Sequence, residues 1–198
     1  MANYAKKNKV KKFIFFSSLA IYGQSNLKVI NNKSQYYNID FYGLTKLMSE
    51  SILKNYKKYF SVYILRIPGV LDENQNVPWP WLNLISKKIK NNENIKFFNP
   101  TKKFNSLTDI DDIAKIISAI SIKKENNVYK IYNFGGNRAI KLSTILYTIK
   151  KRYNSKSKLI SFSSKKHSSI IDNCIIEKDL KIKLSNTLSI IKKYLSKN

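Results

Sequence analysis

The sequence predicts an α/β fold built on a parallel sheet, and three observations support this. Residues 11–16 form a short apolar run rich in Phe and Ile, which indicates a buried strand. Residues 42–59 carry apolar side chains at three- and four-residue steps, the pattern of an amphipathic helix. A second, nearly continuous apolar strand follows at residues 61–70. Strand, long helix and strand form a βαβ unit, and such a unit implies a parallel sheet.

The rest of the chain continues the alternation of helix and strand. Asp109, Asp111 and Asp112 precede an apolar-periodic run, which suits a helix start because carboxylates cap free amides and face the positive end of the helix dipole. The other patterns predict helices at 81–90, 141–153 and 187–198 and strands at 94–99, 128–136 and 157–162.

The composition excludes several classes of protein. With 198 residues and 43% hydrophobic content, the chain is long enough for one globular domain or a domain plus a small lobe, and it is not a disordered tail. The apolar run near the start is too short for a signal peptide or membrane span, so we expect a cytoplasmic protein without membrane contact. The single Cys174 and the single His167 leave no disulfide framework and too few ligands for zinc, so no metal site is expected.

The strong positive charge raises the question of a polyanionic partner. The net charge is +25, from 37 basic and 12 acidic residues, but only three of the basic residues are Arg. Lys occurs in every segment, as in a lysine-biased proteome, whereas base readout and phosphate clamping favour Arg. We therefore expect no nucleic acid as the main partner. A polyanion binder is an alternative that would require a strongly salt-dependent affinity.

Three polar residues form the candidate catalytic set. Ser18 follows the first strand, and Tyr42 and Lys46 stand four residues apart on the first long helix. Residues at i and i+4 share a helix face, so the Lys46 ammonium can lie near the Tyr42 phenol and favour the phenolate. A Tyr-x-x-x-Lys pair alone is a weak signal, because Tyr147 and Lys151 repeat it. The alternative is an ordinary exposed helix pair and a strand-end turn residue.

The ordered motifs resemble the extended short-chain dehydrogenase/reductase family of nucleotide-sugar epimerases and dehydratases. FIFFSSLAIYG and YGLTK carry the resemblance, and ILRIPGV, DIDDIA and YNFGG follow in the family's order across nearly the whole chain. The resemblance implies an α/β fold with part of a Rossmann-type parallel sheet, its C-terminal half, and a small α/β substrate-binding lobe. Residues 1–75 would belong to the cofactor-binding domain and 76–198 mainly to the lobe, with returns to the sheet.

The resemblance also implies roles for individual residues. Tyr42 would act as general base on a substrate hydroxyl, Ser18 would hydrogen-bond the same oxygen, and Lys46 would complete the catalytic set. NAD or NADP would receive the hydride, with Tyr42, Lys46, Pro68 and Gly69 as cofactor contacts. Ser18, Tyr42 and Asn105 would contact the substrate.

Two positions depart from the family pattern and put the substrate in doubt. Asn105 stands where many nucleotide-sugar enzymes have an Arg for the diphosphate, and Gly69 stands where many have an Asn. Pro68 and Gly69 are equally explained as simple strand terminators.

The glycine-rich turn that binds the dinucleotide phosphates is not found in this sequence. We therefore expect a truncated member of the family, in which the first strand exposes apolar surface and the chain is marginally stable. The implied function is NAD(P)-dependent epimerisation, dehydration or oxidoreduction of a nucleotide sugar by a homodimer that pairs through the Tyr-Lys helix. The alternative is a catalytically inactive remnant or a non-enzymatic interaction module.

Overall fold

Helices and strands alternate along residues 1–71, 80–163 and 169–196, the ranges that the computed structural model describes. The predicted boundary at residues 75–76 and His167 lie outside them. The helices are α1 (Ala2–Lys7), α2 (Phe41–Lys54), α3 (Pro80–Lys90), α4 (Ile110–Ile122), α5 (Leu142–Arg152), α6 (Cys174–Leu180) and α7 (Thr187–Ser196), with a 3-10 turn at Leu19–Tyr22. The strands are β1 (Lys12–Ser18), β2 (Val29–Ile30), β3 (Ser61–Ile67), β4 (Gly69–Leu71), β5 (Ile95–Phe98), β6 (Lys103–Phe104), β7 (Leu107–Asp109), β8 (Tyr129–Asn133), β9 (Ile140–Lys141), β10 (Leu159–Phe162) and β11 (Ile170–Ile171).

Three parallel strands form the main sheet, in the order β1-β3-β8. Strand β3 lies in the centre, and its residues 61–66 are all buried, which explains its nearly continuous apolar sequence. Helices α1 and α2 cover one face of the sheet, where Leu53 packs with Val62 and Ile64. Helices α4 and α6 cover the other face, where Ile116 and Ile176 pack with Leu65. The predicted α/β class, the βαβ unit and the parallel sheet are confirmed.

A second hydrophobic core lies among α3, α5, α7 and the parallel pair β5-β10. It contains Leu82, Ile145, Ile149 and Ile191, all fully buried. Along the sequence, the strands of the short pairs β4-β7 and β6-β9 come between elements of this core and strands of the main sheet. The pair β2-β11 joins the segment after β1 to the segment before α6. No helix within the described ranges is long and apolar enough to cross a membrane.

The structure corrects one boundary and confirms another. Helix α2 ends at Lys54 rather than at Tyr59, because residues 55–60 form turns in which Tyr56 stacks on Phe60. These two packed aromatic side chains extend the apolar pattern beyond the end of the helix. Asp109 caps α4, as predicted, because its Oδ1 accepts a hydrogen bond from the Asp112 amide at 2.9 Å.

Candidate active site

Ser18 is the last residue of β1 and the cap of the 3-10 turn that follows. Its Oγ accepts a hydrogen bond from the Ala20 amide at 3.1 Å. The turn ends at Gly23, whose φ of 59° and close approach to the chain require glycine, since a Cβ there would lie 2.0 Å from the Tyr37 carbonyl oxygen. The backbone after β1 therefore holds Ser18 at the carboxyl end of the parallel sheet.

Helix α2 places Tyr42 and Lys46 beside β1. Asp40 caps the helix by accepting a hydrogen bond from the Gly43 amide at 2.7 Å. The Lys46 ammonium lies 5.6 Å from the centroid of the Tyr42 ring, and it donates a hydrogen bond of 2.9 Å to the Phe16 carbonyl. Lys46 thus links the Tyr42 side chain to the strand that ends in Ser18.

Gly43 allows the first turn of α2 to pack directly on the 3-10 turn after Ser18. A Cβ at this position would lie 2.6 Å from the Ala20 carbonyl oxygen and 2.7 Å from the Ile39 side chain. A larger residue would push the helix away from Ser18, because backbone atoms cannot yield as a flexible side chain does. Because glycine has no side chain at this position, the helix turn that carries Tyr42 can lie close to the turn that follows Ser18.

A cavity of about 630 Å³ opens next to Ser18. It lies at the carboxyl ends of β1 and β3, where open α/β sheets bind their ligands. The structure brings three of the predicted site residues, Ser18, Pro68 and Gly69, to its wall. Sequence reasoning missed the other wall residues, because they come from separate loops: Tyr22, Gln24, Ser25, Phe104, Ser106, Ser169 and Ile171 among them. Tyr42 and Lys46 are not wall residues of this cavity.

Asn105 has a different place from the one expected of a substrate contact. Its side chain is 3% exposed, and Nδ2 donates to the carbonyl oxygens of Gly136 and Ile171, both at 3.0 Å. Oδ1 accepts a hydrogen bond from the Ile171 amide at 2.8 Å. Both amide hydrogens are therefore occupied within the fold, and a contact between Asn105 and a substrate would require these bonds to break. Its neighbours Phe104 and Ser106 line the cavity instead.

A buried ion pair between α2 and β3 was not predicted. Glu50 and Arg66 are 2% and 1% exposed. Arg66 donates hydrogen bonds to the Glu50 carboxylate from Nε at 3.1 Å and from Nη2 at 2.7 Å. Burial opposes the Arg66 charge, but the hydrogen bonds to Glu50, together with the electrostatic interactions with Tyr22, Glu50 and Tyr36, outweigh it and raise the pKa of Arg66 above its usual value. The signal in the sequence was a lone Arg inside an apolar strand, which demands a partner.

No group of His, Cys, Asp and Glu among the described residues could hold a metal ion. Cys174 is exposed, and hydrogen bonding to Asp172 raises the pKa of its thiol.

Comparison with known proteins finds relatives of this chain by sequence and by structure. The model of the NAD dependent epimerase/dehydratase family matches residues 1–135. A Bacillus subtilis (strain 168) protein described as the uncharacterized UDP-glucose epimerase YtcB is 27% identical over 133 residues, which are 66% of this chain and 41% of that protein.

Solved structures share the fold. The UDP-glucuronic acid 4-epimerase from Bacillus cereus, in complex with NAD, superposes with a TM-score of 0.81 at 21% identity, covering 98% of this chain and 62% of that one. The UDP-glucose 4-epimerase of Thermotoga maritima, with UDP-glucose, gives a TM-score of 0.77 at 19% identity, covering 99% of this chain and 66% of that one.

This chain spans less than two thirds of the length of these relatives. The family match nevertheless covers more than half of the chain and includes Ser18, Tyr42, Lys46, Pro68 and Gly69. The α/β fold with its parallel sheet is shared with the solved epimerases. The chain therefore belongs to the NAD-dependent epimerase/dehydratase family.

Proposed function

We propose that this chain provides the catalytic end of an enzyme that uses NAD to oxidise a hydroxyl group of a nucleotide sugar, as the first step of epimerisation. The observation that carries the proposal is the position of Lys46. Its ammonium lies over the Tyr42 ring and is anchored to the Phe16 carbonyl, two residues before Ser18. This brings a cation, a phenol and a hydroxyl to the carboxyl end of one sheet.

Each of the three side chains has a distinct task in this proposal. Tyr42 takes the proton of the substrate hydroxyl as general base, and the Lys46 ammonium stabilises the phenolate that does so. Ser18 donates a hydrogen bond to the same substrate oxygen. When bound, NAD supplies the acceptor for the hydride that leaves the carbon. In this proposal Pro68 and Gly69, which share one cavity wall with Ser18, would contact the nicotinamide end of the cofactor.

The cavity supports a polar substrate of moderate size. Its volume of about 630 Å³ lies within the range of small-molecule sites, and Gln24, Ser25, Ser106 and Ser169 offer side-chain hydrogen-bonding groups on its wall. The Thermotoga maritima relative is a UDP-glucose epimerase solved with UDP-glucose, which makes a uridine diphosphate sugar the first substrate to test. The high positive charge of the chain favours the approach of such an anion at low salt.

Ligand titration and kinetics test the proposal together. We expect the chain to bind NAD and UDP-glucose in isothermal titration and to interconvert the sugar epimers. Tyr42→Phe should lower kcat by about 100-fold or more, because general-base catalysis is lost. Tyr147→Phe is the matched control, since Tyr147 belongs to the second Tyr-x-x-x-Lys sequence, on the exposed surface of α5, and should leave kcat unchanged.

The outcome also separates the two classes of function. A chain that binds neither NAD nor the sugar nucleotide would be the inactive remnant or interaction module, and the proposal would be wrong. If Tyr42→Phe and Tyr147→Phe lower kcat by the same factor, Tyr42 does not belong to the catalytic set. The binding of NAD and UDP-glucose would not be contradicted by that result.

We also propose that two copies of the chain pair through α2. The supporting observation is a row of exposed apolar side chains at helical spacing on this helix, Phe41, Leu44, Met48 and Ile52. Such a row on a single helix face is unusual for a surface in contact with water.

A further inference from the structure

The Glu50–Arg66 ion pair is the centre of a larger buried network. Ser17 Oγ donates to Glu50 Oε1 at 2.5 Å, so the carboxylate is bound by both β1 and β3. Arg66 also donates through Nη1 to the Tyr22 hydroxyl at 2.6 Å and through Nη2 to the Tyr36 hydroxyl at 2.9 Å. The guanidinium carbon lies 5.3 Å and 5.7 Å from the centroids of these two tyrosine rings.

Stability alone does not account for burying this pair. Removing two charges from water costs several kcal/mol per ion, and apolar side chains of similar size at such places are often equally stabilising. The Glu50–Arg66 pair differs from an apolar contact in its geometry. A bidentate fork fixes distance and angle between two elements, whereas apolar side chains allow sliding.

Four members of the network lie next to a proposed site residue, on the same element as one, or in the cavity wall. Ser17 directly precedes Ser18 on β1. Glu50 stands one helical turn after Lys46 and two turns after Tyr42 on α2. Arg66 is two residues before Pro68 at the end of β3, and Tyr22 belongs to the cavity wall.

We propose that Glu50 and Arg66 are positioning residues of the active site. The pair locks α2 against the ends of β1 and β3, so that Lys46 reaches the Phe16 carbonyl while its ammonium stays beside the Tyr42 ring. Neither residue touches the substrate or the cofactor. The inference rests on the proposed function for its meaning, but the arrangement itself is tested without any ligand.

The test compares native-state NMR signals of the ligand-free full chain with its stability in urea. Glu50→Gln keeps the shape of the side chain and removes its charge, and Ser17→Ala removes only the link from β1. Their matched controls are Asp179→Asn, a carboxylate in an ion-pair cluster at the opposite end of the sheet, and Ser61→Ala, a buried serine at the start of β3. The readout is the ring signal of Tyr42, assigned with Tyr42→Phe.

We expect Glu50→Gln and Ser17→Ala to move the Tyr42 ring signal by more than its linewidth, while both controls lose stability and leave it in place. If all four variants lose stability and the Tyr42 signal stays at its wild-type position, the pair only holds the fold together and the proposal is overturned. If Glu50→Gln does not fold, the Tyr42 ring signal of Ser17→Ala tests the proposal alone.

A second measurement connects the arrangement to the reaction. In an active enzyme, Ser17→Ala should lower kcat by up to about 100-fold with little change in the KM for NAD, since a displacement of about 1 Å has an effect of this size. An unchanged kcat despite a shifted Tyr42 signal would contradict the role in the reaction. Failure to bind NAD would instead count against the proposed function, and the ligand-free NMR result would stand by itself.

Discussion

Asn105 illustrates how far a single residue can be understood from its sequence position. The resemblance to the family implied a contact with the substrate, whereas in the structure the Asn105 amide ties together the backbones of Gly136 and Ile171, which lie 31 and 66 residues away. No local sequence pattern predicts these hydrogen bonds of Asn105, because the partners meet only when the chain is folded. Ser18, Tyr42 and Lys46, by contrast, could be selected because the ordered motifs that contain them resemble the family pattern.

Asn105→Ala should therefore destabilise the fold. The substitution leaves buried backbone groups of Gly136 and Ile171 without partners, and each such group costs about 1 to 3 kcal/mol. We expect a loss of about 3 kcal/mol or more in the free energy of unfolding, measured by urea denaturation. Asn94→Ala is the control, because exposed Asn94 accepts one hydrogen bond from the Lys158 amide, and its loss should cost no more than about 1 kcal/mol. A stable Asn105→Ala protein with weakened nucleotide-sugar binding would instead favour the substrate contact.

At the scale of elements, the long helices and strands could be predicted, and the short ones could not. Strands β1 and β3 and helix α2 have enough residues to show a period, and each was found within a few residues of its bounds. Strands β2, β6, β9 and β11 have two residues each, so pairing with a distant partner defines them rather than any pattern of their own. The cavity wall was missed for the same reason, since several of its residues, among them Ile30, Phe104 and Ile171, lie in these short strands.

An ion-pair cluster joins α4, β8 and α6 at the edge of the main sheet. Asp179 accepts hydrogen bonds from Lys123 at 2.8 Å and from Lys130 at 3.0 Å, and the Tyr132 hydroxyl also donates to it. Burial works to raise the pKa of Asp179, but these three donors outweigh it and lower the pKa to about 2, from an ordinary value of 3.8. Folding therefore favours the ionised form of this carboxyl.

The cluster should make stability depend on pH in a defined window. Because the folded-state pKa lies below the unfolded one, the contribution of Asp179 is complete above about pH 4 and is lost as the pH falls towards 2. The shift corresponds to about 1 to 2 kcal/mol once partial exposure of the side chain is considered. Urea denaturation at pH 7 and pH 3 should show a smaller difference for Asp179→Asn than for the wild type. Glu93→Gln, an exposed carboxylate, should keep the wild-type difference, and a Glu93→Gln profile as flat as that of Asp179→Asn would contradict this account.

At the scale of the whole molecule, the two edges of the main sheet differ. The outer edge of β8 is covered by Asn32, whose side chain donates to the Ile131 carbonyl at 2.5 Å and accepts from the Asn133 amide at 3.4 Å. The outer edge of β1 has no strand partner among the described residues, and Phe16 on this strand is 45% exposed. An uncovered strand edge with apolar side chains invites association, which is the basis for the expectation that the chain alone is marginally stable.

Association should nevertheless occur first through α2, where Phe41, Met48 and Ile52 are 83%, 57% and 56% exposed. A helix row of this kind buries its side chains when it packs against the same row of a second copy, with a gain of about 25 cal/mol per Å² of apolar surface. We expect the wild type to be a dimer in analytical ultracentrifugation, and Met48→Glu/Ile52→Glu to be a monomer. Ile122→Glu/Ile175→Glu places the same two charges on exposed apolar positions of α4 and α6 and should remain a dimer. If the α2 variant still associates while a charged substitution at Phe16 abolishes association, the contact runs along the edge of β1, and the pairing through α2 is wrong.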